Sequence, residues 1–301
     1  MKKIITPGSI PTAKLHQYLL GSVAPRPIAF VSTKNRNGYS NLAPYSFFNA
    51  FSSNPPVLVF SSNRRVLDNT TKDTLHNIAD TKECVVSVVN HAIVRQMMLC
   101  SVDNDHTVNE FEASNLHEDP AVNVAPSLIR ESPVNMECRV RDIIHLGEEG
   151  GAGHLIICDV LCMHIDESVL DEEGNIDPHK IDLMGRMGKA YYVRASGSAV
   201  LSMPQSQSLP IIGYEGLPQF IRQSKLLTAN DIATLCGLKK MPDSTEIANF
   251  LIQNQQYSES TWNDLQKVFA EAQRLIQTGK SQDALMLLLN KGGTIQESHI
   301  L

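Results

Sequence analysis

Hydroxyl and cationic side chains cluster where one predicted strand ends and the next predicted helix begins. The segment FSSNRR closes an apolar run with Ser61 and Ser62, and NTTKDTLHN then opens a helix with Lys72, Asp73 and Thr74. A helix N-terminus carries unpaired N–H groups and a partial positive charge, so a phosphate bound there would meet both. We therefore predict a phosphate site, although Asp73 would repel a dianion unless it turned toward N–H groups or water. The alternative is a plain helix cap on a solvated surface.

A second unusual stretch, SFFN at residues 46–49, carries two adjacent phenylalanines among Ser, Asn and Pro. Pro44 before it and the Pro55–Pro56 pair after it resist helix formation and ladder pairing, which favours an extended, fixed path. We expect its main-chain N–H and C=O groups to be unused by any neighbouring strand, so another partner must satisfy them if they are buried. The edge of a flat heteroaromatic ring would do so. The alternative is an irregular barrel crossover whose phenylalanines fill the core.

Arg26 and a cysteine–histidine pattern are further candidates. Arg26 lies between two prolines in APRPIAF, which restricts its backbone and makes it a candidate anion ligand, although a lone arginine before a strand is commonly a surface residue. Cys158 and Cys162 are four residues apart, with His164 two further on. This segment lacks a C-x2-C pair and a second ligand pair, so we expect no metal site. The six cysteines are expected to be buried free thiols in a reducing cytoplasm.

The elements that must position these residues are mostly strands up to about residue 195. Short β-branched runs broken by turn residues predict strands at PIAFVST, YSNLAP, PPVLVFSS, ECVVSVV, PVNMECRVRDIIHLG and GHLIICDVLCMHID. Asn37-Gly38 predicts a hairpin turn, and GEEGGAG predicts a hairpin loop rather than a nucleotide loop because a strand follows it. Helices are predicted at KDTLHNIADT and NHAIVRQMMLCSV. Antiparallel strands with few helices favour a mainly β fold, a Greek-key or split barrel.

The character of the sequence changes near residue 205, where SMPQSQSLPIIGYEGLP is typical of a linker. The remainder has the apolar period of helices with capping residues at their ends. The predicted helices are 228–237, 244–254, 260–278 and a last one that begins at Ser281. We therefore predict a split-barrel domain over 15–205 and a helical C-terminal extension over 215–301.

Composition excludes several classes of function. The chain has 301 residues, 42% of them hydrophobic, and a net charge of −6. Since no Lys/Arg run exceeds two residues, we expect neither a nucleic acid nor a membrane surface as partner. No apolar stretch approaches the ~18 residues of a transmembrane helix, and prolines interrupt the N-terminal segment before signal-peptide length, so a cytoplasmic location is expected. No G-x-G-x-x-G opens a helix after a strand, so no Rossmann-type dinucleotide site is predicted.

Several segments together resemble the flavin reductase-like, FMN-binding split-barrel family. That family includes the reductase components of two-component monooxygenases, such as the nitrilotriacetate monooxygenase component B type. The resemblance runs through about residues 15 to 200, in order, and does not cover the C-terminal part. It is carried by the stretch from PRPIAFVSTKNRNGYS through SFFNAFSSNPPVLVFSSNRR, and by KDTLHNIADTKECVVSVV, NEFEASNL, APSLIRESPVNMECRV and GRMGKAYYVR.

The resemblance implies a ligand for both unusual regions. In such proteins the SFFN segment lies along the isoalloxazine ring, so the backbone and side chains of Ser46, Phe47, Phe48 and Asn49 would contact the ring of FMN. The strand end and helix start would hold its phosphate. The residues this implies are Ser61, Ser62, Lys72, Asp73 and Thr74, with Arg26 and Pro27 nearby.

The family commonly forms homodimers with flavin near the subunit interface. This implies that Tyr191 or Tyr192 and His164 would approach the ring from either chain. The alternatives are that the tyrosines are packing residues and that His164 is a barrel histidine with its hydrogen bonds satisfied within the fold.

The activity implied is hydride transfer from NAD(P)H to flavin, in which the cofactor itself accepts the electrons. The reduced FMN would pass to a partner monooxygenase. Two alternatives remain open. One is a prosthetic FMN that reduces another acceptor, such as ferric iron or a quinone. The other is a non-catalytic barrel whose helical tail is an interaction module.

Overall fold

The computed structural model describes residues 2–102, 104–105, 107–203, 211–258 and 264–296, with only the backbone for 258 and 291–296. The chain divides into two compact units, Met1–Leu201 and Ser202–Leu301. None of the helices in the described ranges is long and apolar enough to cross a membrane.

The first unit is built on antiparallel strands, as the β-branched runs predict. Asn37 and Gly38 form the turn between the first two strands, where Gly38 has a φ of 85° that favours glycine. The strands are β1 (Ala29–Lys34), β2 (Ser40–Tyr45), β3 (Phe48–Ser53), β4 (Pro56–Ser61), β5 (Glu83–Val88), β6 (Glu118–Asp119), β7 (Leu128–Ile129), β8 (Val134–His145), β9 (His154–Ile165), β10 (Met184–Arg186) and β11 (Tyr192–Arg194).

Seven of these strands form one sheet in the order β2-β1-β5-β8-β9-β4-β3. Its two edge strands, β2 and β3, are consecutive in the sequence and are joined only by Ser46 and Phe47. Three Cα–Cα steps span at most about 11 Å. In a flat sheet of seven strands the two edges would be about 29 Å apart. The sheet must therefore curl until its edges approach each other, which makes an open barrel.

The barrel interior is apolar and tightly filled. Ala29, Val31, Phe60, Val86 and Ile156 project into it and are completely or almost completely buried. The opposite face of β1 and β2 supports a second cluster that includes Phe30, Met97 and Phe111. The two clusters lie on opposite faces because side chains alternate along a strand.

Helices and short 3-10 turns connect the strands of the first unit. Leu75 and Ile78 of the predicted KDTLHNIADT helix are buried, as its apolar period requires. The helices are α1 (Thr12–Ser22), α2 (Asp73–Thr81), α3 (Val94–Leu99), α4 (Glu110–Ser114) and α5 (Pro178–Ile181), with 3-10 turns at Glu167–Val169 and Gly197–Ala199.

The second unit is helical around its own core. Ile221, Leu235, Phe250, Val268 and Leu285 are among its buried residues. The first short helix, at 213–216, falls within the stretch predicted as a linker, and the second begins directly after that stretch. Residues 204–210 of the stretch lie outside the described ranges. The helices are α6 (Gly213–Gly216), α7 (Gln219–Arg222), α8 (Ala229–Cys236), α9 (Ser244–Gln253), α10 (Leu265–Gln277) and α11 (Ser281–Gln296), with a 3-10 turn at Gln255–Ser258. The predicted start of the 260–278 helix also falls partly outside the described residues.

Candidate functional site

The first turn of α2 borders a small polar cavity of about 30 Å³. Lys72 is the N-cap residue of this helix, and its Nζ lies 5.4 Å from the centre of the Tyr45 ring. Thr74 is fully buried, and its hydroxyl accepts a hydrogen bond of 2.9 Å from the Asn41 amide. Arg65 also lines the cavity. The predicted helix start is therefore a polar recess with two cations rather than an open surface.

Two carboxyl groups share this recess. Asp73 is turned along its own helix, with Oδ1 3.9 Å from His76 Nδ1. Glu110 accepts a hydrogen bond of 3.0 Å from the Leu42 N–H, and burial raises the pKa of its carboxyl group. The orientation of Asp73 toward His76 reduces the repulsion that its position predicts for an anion at the helix N-terminus.

Two buried hydroxyl groups near the recess have no hydrogen-bond partner among the described residues. They are Ser62 Oγ and Tyr45 Oη. Burial raises the pKa of Tyr45 to about 12, so the phenol keeps its proton. A buried hydroxyl without a partner costs free energy, and a bound polar ligand would remove that cost. An anion in the recess is therefore chemically compatible with the donors present.

The SFFN segment is more regular than its sequence suggests. Phe48–Ser53 forms β3, which pairs with β4 in the register Phe48↔Phe60, and the Phe47 carbonyl accepts from the Ser61 N–H at 2.8 Å. The prediction that no neighbouring strand uses these main-chain groups was therefore wrong along the β4 side. The prediction holds only for the side of β3 that faces away from β4. Because β3 is an edge strand, alternate N–H and C=O groups on that side are unpaired.

A groove of about 390 Å³ runs along β3, β4 and the end of the β8–β9 hairpin. Its size is within the range of small-molecule pockets, and its lining is largely apolar as such pockets require. Gly153 allows the close approach of the hairpin, since a Cβ there would lie 2.7 Å from Ser61 Oγ. The lining residues used below are Phe47, Phe48, Asn49, Ser61, Asn63 and Gly153.

Arg26 is a buried clamp rather than an open anion ligand. Its guanidinium donates to the carbonyls of Leu20 (2.7 Å), Val23 and Met187 (3.3 Å). The same group lies 5.7 Å from the centre of the Phe47 ring. A longer hydrogen bond of 3.4 Å connects its Nε to Ser46 Oγ. These contacts orient the start of the SFFN segment, and the adjacent Pro27 is exposed.

Tyr191 lies on the same side of the barrel as Arg26. It belongs to the turn between β10 and β11, where its carbonyl accepts from Met187 N–H at 2.9 Å. The Met187 carbonyl also accepts a hydrogen bond from the Arg26 guanidinium, and Arg26 thereby connects this turn to the SFFN segment. The Tyr191 side chain is 70% exposed, so it has no packing function within one chain.

His164 is far from these groups within one chain. It lies near the end of β9, whereas Leu155, the partner of Ser61 in the sheet, lies near its beginning. Nine residues of strand span roughly 30 Å. Its Nε2 is instead 2.7 Å from Glu137 Oε1. The structure thus does not bring His164 to the groove within one chain.

Three site neighbours were missed by sequence reasoning. His16, in α1, packs edge-on against Phe47 with ring centres 6.1 Å apart. Asn63 accepts from Ser61 Oγ at 2.8 Å and donates to the Gly151 carbonyl. His154 is buried, and its Nε2 has no partner among the described residues. The i, i+4 spacing of Leu15 and Leu19 is a weak signal for α1.

Comparison with known proteins assigns the barrel region to a family. Residues 20–185 match the family described as flavin reductase like domain. An uncharacterized protein from Aquifex aeolicus is 36% identical over 189 residues, which cover 63% of this chain and 94% of that protein.

Two solved structures are similar in both sequence and fold. Nitrilotriacetate monooxygenase component B from Bacillus cereus is 26% identical with a TM-score of 0.61, and the match covers 69% of this chain and 99% of that one. The 2-nitrobenzoate 2-nitroreductase of Pseudomonas fluorescens is 29% identical with a TM-score of 0.59, and the match covers 70% and 100%. The predicted fold class, a split β-barrel with a helical C-terminal region, is confirmed.

Proposed function

The chain belongs to the flavin reductase like domain family, and we propose that it is an FMN-binding oxidoreductase that accepts hydride from NADH or NADPH. The observation that carries the proposal is the adjacency of two complementary sites. Ser61 lines the aromatic groove, and the next residue, Ser62, has a buried hydroxyl without a partner among the described residues. A ligand with a flat ring at one end and a phosphate at the other fits this arrangement.

Each group in the site has a defined task in this proposal. Ser46, Phe47, Phe48 and Asn49 contact the ring, and the unpaired outer side of β3 offers main-chain hydrogen bonds to its edge. Three main-chain carbonyls hold the Arg26 guanidinium, which in turn contacts the Phe47 ring and donates to Ser46 Oγ.

We propose that the phosphate group of FMN binds at the polar recess beside the first turn of α2. Lys72, Asp73 and Thr74 line this recess, and Lys72 supplies positive charge. We propose that Ser62, whose buried hydroxyl has no partner among the described residues, and Ser61, which lines the groove, complete the phosphate contacts. The helix N-terminus adds N–H groups and a partial positive charge. FMN fits this recess better than riboflavin does, because only FMN carries the anion.

Bound FMN supplies the hydride acceptor, so no side-chain nucleophile is needed. The protein would hold the ring and donate hydrogen bonds to its edge. It would also keep the SFFN segment in one fixed conformation. The sequence has no Rossmann glycine motif, so we propose that the nicotinamide docks transiently over the ring. The charged groups near the groove do not distinguish the 2′-hydroxyl of NADH from the 2′-phosphate of NADPH.

We further propose a homodimer. The residues Leu161, Met163 and Ile165 of β9 are large, apolar and 37–49% exposed. A second copy that covered these three residues would bury an apolar surface that is exposed in one chain. The mass of the purified protein in solution tests this proposal, and a monomer at micromolar concentration would contradict it.

The fate of the reduced FMN has two candidates. The similarity to a monooxygenase component B favours release to a partner oxygenase. The similarity to a nitroreductase favours a retained FMN that reduces a second acceptor. The six unpaired cysteines are consistent with the reducing cytoplasm in which either activity would operate.

The function is tested by nicotinamide oxidation with and without added flavin. The protein is loaded with FMN, desalted, and mixed in air with NADH or NADPH. We expect oxidation of at least one nucleotide. If desalted protein needs added FMN, the flavin is a diffusing substrate; if it does not, the flavin is prosthetic. Absence of oxidation with flavin present would contradict a reductase and leave an FMN-binding or interaction protein.

A further inference from the structure

Three side chains of different chemistry meet at the end of the β8–β9 hairpin remote from the groove. Glu137 Oε1 lies 2.7 Å from His164 Nε2, and Cys162 Sγ lies 3.6 Å from the same nitrogen. Their ligand atoms all fall within 4.8 Å of one another. Carboxylate oxygen, imidazole nitrogen and thiolate sulfur are the three protein ligands that Zn²⁺ takes.

A β-bulge brings these residues to one face of the sheet. Along β9, Ile156, Cys158 and Val160 point into the barrel, and strict alternation would send Cys162 and His164 there too. The register instead shifts after Val160, so that Cys162 pairs with Glu137 on β8. The bulge re-aims the side chains that follow it. The position of this bulge cannot be predicted from the sequence. The spacing of Cys162 and His164 therefore did not reveal Glu137 as a third ligand.

The spacing suits a tetrahedral ion. With a Zn–S bond of about 2.3 Å and a Zn–N bond of about 2.0 Å, the two ligand atoms are about 3.5 Å apart. The observed separation of Cys162 Sγ and His164 Nε2 is 3.6 Å. The Glu137–His164 hydrogen bond must open by about 0.5 Å to admit the ion, a shift within the reach of one side-chain rotation.

Main-chain hydrogen bonds fix the orientation of the Glu137 carboxylate. It is completely buried, and its carboxylate accepts from the Val122 N–H at 2.8 Å and the Asn123 N–H at 2.5 Å. Main-chain donors of this kind orient metal-binding carboxylates in proteins.

A buried carboxylate requires a positive partner. Among the ion pairs of the described residues, Glu137 has only His164, whose side chain is 32% exposed. The Asn123 amide donates to Cys162 Sγ at 3.2 Å. The site is thus closed on the Glu137 side and open to solvent on the His164 side.

We propose that Glu137, Cys162 and His164 bind Zn²⁺, with a water molecule in the fourth position. On binding, the Cys162 thiol releases its proton to solvent and forms a Zn–S bond. The His164 ring binds through Nε2, which loses to solvent the proton that it shares with Glu137, and the ring carries a proton on Nδ1. The ion replaces hydrogen bonds between the ligands, and no oxidant or reductant takes part. The site is roughly 30 Å along β9 from the flavin groove of the same chain.

The test uses Co²⁺ as a spectroscopic substitute for Zn²⁺ in the full-length protein after removal of metal by a chelator. We expect one Co²⁺ per chain, a thiolate-to-cobalt charge-transfer band, and loss of the band when Zn²⁺ is added. Cys162→Ser should remove the band and weaken binding at least about 100-fold. Cys236→Ser, which changes the other partly buried thiol, should leave the charge-transfer band and the Co²⁺ affinity unchanged.

No charge-transfer band in the wild-type protein, or a band that survives in Cys162→Ser, would overturn the proposal. If Cys162→Ser does not fold by circular dichroism, X-ray absorption of the zinc-loaded wild-type protein replaces it. The expected zinc shell contains one sulfur at about 2.3 Å and the remaining ligands as nitrogen or oxygen. A shell without sulfur, or with two or more sulfurs, would overturn the assignment.

Discussion

Lys72 is the residue whose charge most directly separates FMN from riboflavin. It lies at the first turn of α2, beside the buried Thr74 and the Tyr45 ring. A hydrogen bond to a charged group contributes about 1.5–3 kcal/mol, which corresponds to roughly 10- to 100-fold in affinity. We therefore expect Lys72→Ala to weaken FMN binding by about that factor and riboflavin binding much less. Quenching of flavin fluorescence measures both.

The matched control for Lys72 is Lys225→Ala, because Lys225 is an exposed lysine in the helical unit. It should leave both affinities unchanged. Equal weakening of FMN and riboflavin by Lys72→Ala would refute the phosphate assignment.

His16 makes stability depend on pH. Burial, with a smaller contribution from Arg26, lowers the pKa of its imidazole below the usual 6.5. The unfolded chain therefore binds the proton more readily than the folded chain, so His16 costs stability as pH falls through 6.5. We expect His16→Gln to lose stability less steeply than the wild-type protein between pH 7.5 and 5.5, in urea unfolding.

The exposed His91 provides the comparison for His16. His91→Gln measures the effect of removing a different histidine from the same unit, and the acid slope should fall more in His16→Gln than in this variant. An unchanged acid slope in His16→Gln would show that His16 does not contribute to this dependence.

For single residues, the sequence predicted which side chains could bind a phosphate better than it predicted which residues would lie close together in the fold. Ser61, Ser62, Lys72 and Thr74 could be selected because they lie at the end of one element and the start of the next. The clamp made by Arg26 could not be predicted, since its partners include Met187, which is 161 residues away.

The β8–β9 hairpin is the element that closes one side of the groove. A Cβ at position 153 would lie 2.7 Å from Ser61 Oγ, closer than Cβ atoms come to other heavy atoms in folded proteins. Gly153→Ala should therefore push the hairpin from β4, destabilise the fold by about 1–3 kcal/mol and weaken flavin binding. Urea unfolding and a flavin titration measure the two effects.

Gly237→Ala is the control for the hairpin, because a Cβ there would meet only ordinary contacts at 3.5 Å or more. Its flavin affinity should equal that of the wild-type protein. Wild-type stability and affinity in Gly153→Ala would show that the hairpin does not shape the groove as described.

Strands and helices with strong patterns were predictable, and those with weak patterns were not. β1, β4 and β5 are runs of buried β-branched and aromatic residues. β3 was missed because five of its six residues are exposed, so it lacks a buried period. α1 was missed because it buries no residue within the chain.

At the scale of the whole molecule, the two units have separate hydrophobic cores. All residues of the proposed flavin site belong to the first unit. We therefore expect a chain ending at Leu201 to bind FMN with an affinity within about threefold of the full-length value. Titration of both proteins under identical conditions tests this. A folded truncated chain that fails to bind FMN would mean that the helical unit completes the site or the dimer.

Barrel closure is the property of the whole molecule that local sequence patterns do not reveal. Composition and antiparallel strands favoured a barrel, but strand order depends on pairings such as β9 with β4, which lie about a hundred residues apart. The two-residue link at Ser46 and Phe47 forces the edges together only once that order is known.

We propose that this barrel binds FMN and presents it to a reduced nicotinamide. The most direct measurement is the visible spectrum of the full-length protein mixed anaerobically with stoichiometric FMN and then, separately, with NADH and NADPH. We predict that the flavin band shifts on binding and bleaches rapidly with at least one nucleotide. A band that does not shift, or that shifts but persists with both nucleotides, would contradict the account.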